Sequence, residues 1–235
     1  MSERNRSRIA LSLFVALIGF YPLSLRADEI EASCADEFAR GVQQHYRDTD
    51  HLKANFRQTS ETVSIGSRRL SRSNKALEGK VFLEKPGKMR WEYEQPEPSL
   101  VVSDGRVMWL YDPDQKEVQR MSVEGGLMNM AGVQFLIGQG EILTDFTVST
   151  ENCTPVGGRV VLQLVPREER TYEKLEIVIQ TSDSAIVETS VFDLFGNITR
   201  VALKDVETGK TLEPGLFEFQ VPEGVRVIDL AQPTR

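Results

Sequence analysis

The segment Lys88-Met89-Arg90-Trp91-Glu92-Tyr93-Glu94 constrains the fold more than any other. Its apolar residues fall at every second position, with a charge between each pair. Period two places Met89, Trp91 and Tyr93 on one face of an extended strand, whereas a helix would scatter them around its circumference. The same alternation recurs at Val81 and Leu83, at Val107, Trp109 and Tyr111, and at Val160, Leu162 and Leu164. Farther on it is seen at Leu175, Ile177 and Ile179, at Val187 and Val191, at Val201 and Leu203, and at Phe217, Phe219 and Val221. Pro86-Gly87, Asp104-Gly105, Asp112-Pro113, Gly157-Gly158 and Gly196-Asn197 punctuate these runs with turn chemistry. Strands so closely spaced, with no helices between them, predict a largely antiparallel meander.

Two segments depart from period two. Ser33 and Asp36 have the spacing of a capping box, and beyond them Phe38, Val42 and Tyr46 recur every four residues. This predicts one amphipathic helix that must lie on something apolar. The second departure, residues 124–143, is apolar, broken by glycine and bears two methionines, Met128 and Met130. It reads as one or two short helices across the sheet, either a movable cover or a plug for the core.

The N-terminus points to export. Arg4, Arg6 and Arg8 precede an apolar run from Ile9 to Tyr21, and Pro22 and Ala27 follow it. A basic start, a short apolar stretch and a small residue describe a secretory signal peptide over residues 1–27, and about 13 apolar residues fall short of the ~20 that a span needs. No twin arginine precedes the apolar run, so the general secretory route is expected, with a single domain over residues 28–235. Removing residues 1–27 takes away four arginines and one glutamate, leaving 24 basic against 34 acidic side chains, a net charge of −10. So acidic a surface argues against nucleic acid as a partner and against electrostatic docking on anionic lipid.

Cys34 and Cys153 are the only cysteines. In an exported chain they can form one disulfide, the alternative being two unpaired thiols. With two histidines they exhaust the soft ligands, and none are spaced as a metal-ligand pair; no cofactor is expected. Catalysis has little support. His45 and His51 sit in or just after the amphipathic helix, no G-x-S-x-G elbow occurs, and Glu168-Glu169 lies in an arginine-rich loop. Gly125-Gly126 and Gly157-Gly158 lack phosphate-loop spacing.

Several short motifs, in order, resemble one family. They are Ala54-Asn55-Phe56-Arg57-Gln58, then G-K-V-F-L-E-K-P-G-K-M-R-W-E-Y from Gly79 to Tyr93, then V-S-D-G-R-V-M-W-L-Y-D-P from Val102 to Pro113. F-E-F-Q-V-P-E-G-V from Phe217 to Val225 completes the set. Together they are similar to the outer-membrane lipoprotein carrier proteins, the LolA family, from about Leu52 to Val227. The resemblance implies a mainly β fold with some α: an unclosed antiparallel β-barrel, or half-barrel, with an N-terminal helix and a helical lid near residues 124–143 over an apolar cavity. It implies a periplasmic, monomeric carrier for acylated lipoproteins, supplied by an inner-membrane ABC-type transporter and working by transfer rather than catalysis; it leaves an outer-membrane receptor open. A carrier or sensor for another lipid fits the same scaffold, and an envelope hydrolase is the more distant alternative.

The resemblance also implies site residues. A basic residue, usually arginine in the family, precedes the proline of the first long motif and latches the lid; here it is Lys85, facing Tyr46, Ile137 and Gly138. Phe56, Val81, Leu83, Met89, Trp91, Tyr93, Val107, Trp109, Phe135 and Leu136 would line the lipid cavity. Phe82 is the weaker aromatic candidate, since it alternates out of phase with Val81 and Leu83.

Overall fold

The computed structural model describes residues 24–63, 70–72, 75–123 and 140–230, with side chains for all of these except 24–33 and 70–72. One helix, α1 (Ser24–Arg47), leads into β1 (His51–Val63) and the short β2 (Leu70–Arg72). A meander follows through β3 (Leu77–Glu84), β4 (Lys88–Gln95), β5 (Ser99–Asp104), β6 (Val107–Asp112) and β7 (Glu117–Ser122). After a single helical turn, α2 (Ile142–Asp145), come β8 (Phe146–Ser149), β9 (Arg159–Pro166), β10 (Tyr172–Gln180), β11 (Ile186–Asp193), β12 (Ile198–Thr208) and β13 (Arg226–Asp229).

These strands form one sheet, ordered β13-β7-β6-β5-β4-β3-β1-β12-β11-β10-β9-β8, with β2 paired to β1. β1 is the hinge of the architecture: it joins the first meander through β3 and the second through β12. β13 and β8 are the two outer strands, and they do not pair with each other, so the barrel is unclosed. One pairing departs from the antiparallel pattern. The chain leaves β12 at one side, crosses the outside of the sheet, and adds β13 parallel to β7. A long crossover of this kind is what a parallel pairing requires.

The turn residues fall where their chemistry is needed. At Asp104-Gly105 the Asp104 carboxylate accepts from the N–H groups of Arg106 and Val107, both at 2.8 Å, while Gly105 takes a φ of +93°.

The predicted helix is longer than its cap signal. α1 runs straight through Ser33, so the capping-box reading is replaced by a helix that starts at Ser24. Its buried stripe is Ala35, Ala39, Val42 and Tyr46, with Phe38 packed at the margin. The small residues let the helix lie close to the strands. A Cβ on Gly41 would come within 2.6 Å of Ser184 Oγ in the β10–β11 turn. No described helix is long and apolar enough to cross a membrane.

The run Phe217-Val221 is a second correction. It is irregular chain, not a strand. Pro214 and Pro222 flank it, and it lies on the outer face with its aromatic side chains against the sheet. His51, expected just after the helix, opens β1, with Nε2 3.6 Å from the Glu84 carboxylate. Of the 124–143 insertion, residues 124–139 lie outside the described residues, as do the candidates Phe135, Leu136, Ile137 and Gly138.

Candidate functional site

Register assigns the faces. Phe56 pairs with Gly79, Gly79 with Tyr93, and Val81 with Trp91, while Leu83 pairs with Met89. Paired residues share a face, so these residues and Val81's partner on β1, Ala54, form one apolar surface on the inner side. At its centre Phe56 meets Trp91 and Tyr93 edge-on, with centroids 4.8 and 5.0 Å away. Gly79 makes room for this cluster: a Cβ there would lie 1.8 Å from the Glu92 carbonyl oxygen and 3.1 Å from the Phe56 ring. The surface continues across β1 and β12 to Val191, Ile177 and Leu162.

Two polar atoms in the aromatic cluster behave differently. The Tyr93 hydroxyl donates to Gln58 Oε1 at 3.2 Å, and burial pushes the phenol above its usual pKa. The Trp91 indole N–H is buried and has no hydrogen-bond partner among the described residues. An unmet buried donor is uncommon in a packed core, because it forfeits its hydrogen bond to water.

Helix α1 covers the second half of the inner face, packing on β8 and β9. Attachments at several points hold it. A Cys34–Cys153 disulfide ties it to the loop after β8, and the Ile142 N–H donates to Gln43 Oε1 at 2.7 Å. The Ile186 N–H donates to the Tyr46 hydroxyl oxygen at 3.0 Å. Lys85 Nζ donates to the carbonyl oxygens of Tyr46 and, at 3.2 Å, Arg47.

That last contact completes the helix terminus. The final carbonyls of a helix lack intrahelical partners. Here Gln44 O accepts from Asp48 N, and His45 O accepts from Thr49 Oγ1. The Tyr46 carbonyl accepts from the Thr49 N–H at 3.4 Å and from Lys85, which also donates to Arg47 and places its charge at the negative end of the helix dipole. Partial burial pulls the Lys85 ammonium below its usual pKa, against the opposing pull of Asp50 and Asp48.

Tyr46 gives a pH signature. Burial pushes its phenol up to about 12, against the lowering effect of the Ile186 N–H and with a small addition from Asp183. A folded pKa raised above the unfolded value of 10.0 contributes stability that is complete below pH 10 and is lost as pH rises towards 12. A rise of this size corresponds to about 3 kcal/mol. Urea titrations between pH 9 and 12 should therefore show a steep loss of stability that is much shallower in Tyr46→Phe, with buried Tyr93 supplying what remains. An unchanged slope in the variant would place the alkaline transition elsewhere.

The structure does not bring all the candidates together. Trp109 and Val107 lie on the opposite face of the sheet from Trp91. Val101 pairs with Trp91 and with Leu110, so the inward residues of β6 are Met108 and Leu110. Trp109 instead pairs with Val102 and packs on Phe219 at 6.1 Å, with Tyr111 also on Phe219 at 5.8 Å. Arg90 Nη1 donates to Leu216 O at 3.2 Å and secures the same crossing segment. Phe82 is outward too, paired with Arg90. The β6 run Val107–Tyr111 is apolar at every position because both of its faces are covered. That unbroken run is the signal for the outer cover, and alternation alone cannot say which phase points inward.

Two open grooves have volumes of about 390 and 320 Å³. The larger borders β8 and β9 beside Thr150, Asn152 and Val161; the smaller lies between β5 and β7. Both are mixed in polarity; the larger shares no residue with the Phe56-Trp91-Tyr93 surface, whereas the smaller is lined by Ser99 and Val101, which pair with Tyr93 and Trp91, and by Leu110.

Comparison with known proteins agrees with this architecture. Residues 47–220 match the family described as outer membrane lipoprotein carrier protein LolA. An outer-membrane lipoprotein carrier protein of Alkalilimnicola ehrlichii is 34% identical over 188 residues, covering 80% of this chain and 82% of its own. One from Legionella pneumophila (strain Corby) is 33% identical over 179 residues, covering 75% and 82%. Among solved structures, an uncharacterized conserved protein from Thermus thermophilus superposes with a TM-score of 0.51 at 12% identity, covering 83% of this chain and 99% of that one, which speaks to the fold alone. With a match across most of its sheet and two relatives above 30% identity, the chain belongs to the outer membrane lipoprotein carrier protein family, LolA.

Proposed function

We propose that this protein is a periplasmic lipoprotein carrier. It is exported by the general secretory route with cleavage after Ala27, and it shields the acyl chains of lipoproteins between the inner and outer membranes. The observation that supports this reading best is the aromatic surface of Phe56, Trp91 and Tyr93 on the inner side of a sheet that never closes. An acyl chain in water costs about 0.8 kcal/mol per methylene, so a carrier needs an apolar surface it can cover and uncover. An unclosed sheet can widen without breaking main-chain pairs. Transfer needs no bond chemistry, and the carrier works as a non-catalyst with an inner-membrane ABC-type transporter as donor.

Native mass spectrometry of protein taken from the periplasm should show an acylated species bound about one to one. Trp91→Glu should abolish saturable binding, and a charge at outward Trp109 should leave binding intact while weakening the outer cover. No saturable binding of any acylated lipoprotein by the parent protein would end the carrier reading.

Lys85 is the latch in this reading. Closing brings α1 down over the inner face, and the Lys85 ammonium holds its C-terminal carbonyls. Lys85→Leu leaves the Arg47 carbonyl to water, and losing a charge-assisted bond of about 1.5 kcal/mol should speed amide exchange across Val42–Arg47 roughly tenfold. Lys85→Arg, the family's usual residue, should slow exchange, because a planar guanidinium can hold two carbonyls in fixed geometry. Equal exchange in all three proteins would make Lys85 an ordinary strand-end lysine.

A further inference from the structure

The β11–β12 hairpin leaves two consecutive large apolar side chains outside the fold. Phe195 is 84% exposed and Leu194 64%, and among the described residues only Val156 is comparably bare. Apolar neighbours at a hairpin tip are costly to leave in water, and turn chemistry asks for neither of them. Building on the carrier reading, we propose that this tip is a membrane-contact wedge, with Leu194 and Phe195 entering the acyl layer of a lipid bilayer while cargo is collected or delivered.

The tip is held ready for such a contact. The Asp193 carboxylate accepts from the N–H groups of Phe195 and Asn197, each at 2.8 Å, and from Asn197 Nδ2 at 2.7 Å. The Gly196 N–H donates to the Asp193 carbonyl at 3.0 Å, with Gly196 at a φ of +85°. Asn197 Oδ1 in turn accepts from the Val63 N–H at 2.9 Å, fastening the hairpin to β1. Little conformational entropy is left to lose when the tip is immobilised. These bonds also turn the one carboxylate of the tip into the loop and away from the surface that Leu194 and Phe195 present.

Size and charge select a bilayer as the occupant. At the ~200 Å² that a large apolar side chain offers, the two residues expose about 300 Å². A stable protein interface needs roughly 800 Å² from each partner. A convex wedge of this area is too small for that, and suits a fluid acyl layer that closes around it. With 24 basic and 34 acidic side chains after residue 27, the protein has no long-range attraction to anionic lipid, so contact through the tip alone would be weak and reversible. A shuttle that must leave each membrane requires weak contact. The wedge also stands apart from the helix attachment. Ile186, which bonds Tyr46, begins β11, and Asp193 ends it. A strand of this length puts the tip about 26 Å from that point.

The test uses the mature protein without cargo and vesicles of phosphatidylethanolamine with a minority of phosphatidylglycerol. Three variants are compared with the parent: Leu194→Ser with Phe195→Ser, Phe195→Trp, and Val156→Ser, the last at an exposed apolar site on another loop. The double variant should lower vesicle partition about tenfold to a hundredfold, Val156→Ser should leave it unchanged, and added salt should not weaken it. The extra indole emission of Phe195→Trp, taken above the parent's own tryptophans, should shift to the blue and be quenched by brominated acyl chains. If the double variant fails to fold, that quenching decides alone. Equal partition in every variant, no partition by the parent, or partition abolished by salt would overturn the proposal. So would a parent that ignores pure lipid while the double variant loads cargo poorly from transporter-bearing vesicles, which would make the tip a protein contact. Binding of an acylated peptide delivered from detergent, without vesicles, is measured in parallel. Loss of that binding in the parent with tip-dependent partition intact would remove the carrier reading and leave the wedge standing.

Discussion

Gly79→Ala should destabilise the protein by about 3 kcal/mol or more, a large share of the roughly 5–15 kcal/mol that holds a typical domain together. The reason is the neighbouring strand. Gly79 sits where the β3–β4 register shifts, and its added Cβ would meet the Glu92 carbonyl oxygen at 1.8 Å and the Glu92 carbonyl carbon at 2.9 Å. Main-chain atoms cannot rotate away as a side chain can. β4 would have to retreat, taking Tyr93 and Trp91 off Phe56 and opening the aromatic surface itself. Gly41→Ala is the fitting contrast, since its Cβ meets only the Ser184 side chain, whose hydroxyl can turn aside. That change should cost under about 1 kcal/mol. Urea midpoints with unchanged slope would measure both. An alanine tolerated equally at both positions would mean that the β3–β4 pairing at Gly79 is looser than the register implies.

Why was so much of the sheet legible from sequence, and less of the site? Period two in the strands is enforced by the pleat, so Val81, Leu83, Met89 and Trp91 announce one shared face without any tertiary information. The turns announce themselves too, since Asp104-Gly105 and Gly196-Asn197 supply backbone conformations that few other residues accept. What alternation cannot give is absolute phase when both faces are apolar. β6 offers Val107, Trp109 and Tyr111 on one side and Met108 and Leu110 on the other, and the larger side chains are the outward ones. Only the crossing segment, with Phe217 and Phe219, explains why they are apolar. The helix stripe was partly hidden for a different reason. Ala35 and Ala39 are buried but too small to weigh in a hydrophobic pattern, and they matter by allowing close approach.

Lys85 illustrates a third limit. Locally it is a lysine beside a Pro-Gly turn, a common exposed arrangement, and its pairing with Tyr46 was an implication of family resemblance. The contact depends on where a helix terminus, 38 residues earlier in the chain, comes to rest against the β3–β4 turn. No local pattern encodes that meeting. The same holds for the hairpin tip, where sequence marks a turn at Gly196-Asn197 but only the fold shows that Leu194 and Phe195 are left outside.

Removing the Cys34–Cys153 disulfide should have the other large effect. The bond closes a loop across a sequence separation of 119, which joins α1 to the segment after β8. Cross-linking over about a hundred residues restricts the unfolded chain by the equivalent of about 4–5 kcal/mol. In a domain of this size each kcal/mol moves the melting temperature by about 2–4 °C, so Cys34→Ser with Cys153→Ser should melt roughly 10 °C or more below the parent. The loss would not be spread evenly. Without the bond, α1 keeps the Gln43, Tyr46 and Lys85 contacts at its C-terminal half, while the turn carrying Ala35 loses its covalent tie. Amide exchange should therefore rise first around residues 34–39, before β3 and β4 respond. Thiol titration of the denatured, unreduced parent should find no reactive thiol, which checks the starting state. If the double serine variant melts with the parent and exchanges no faster at Ala35, then packing alone fixes the helix and the covalent tie is dispensable. If exchange rises and the inner aromatic face becomes easier to reach, the disulfide is what sets how far α1 can lift while the sheet beneath it stays paired.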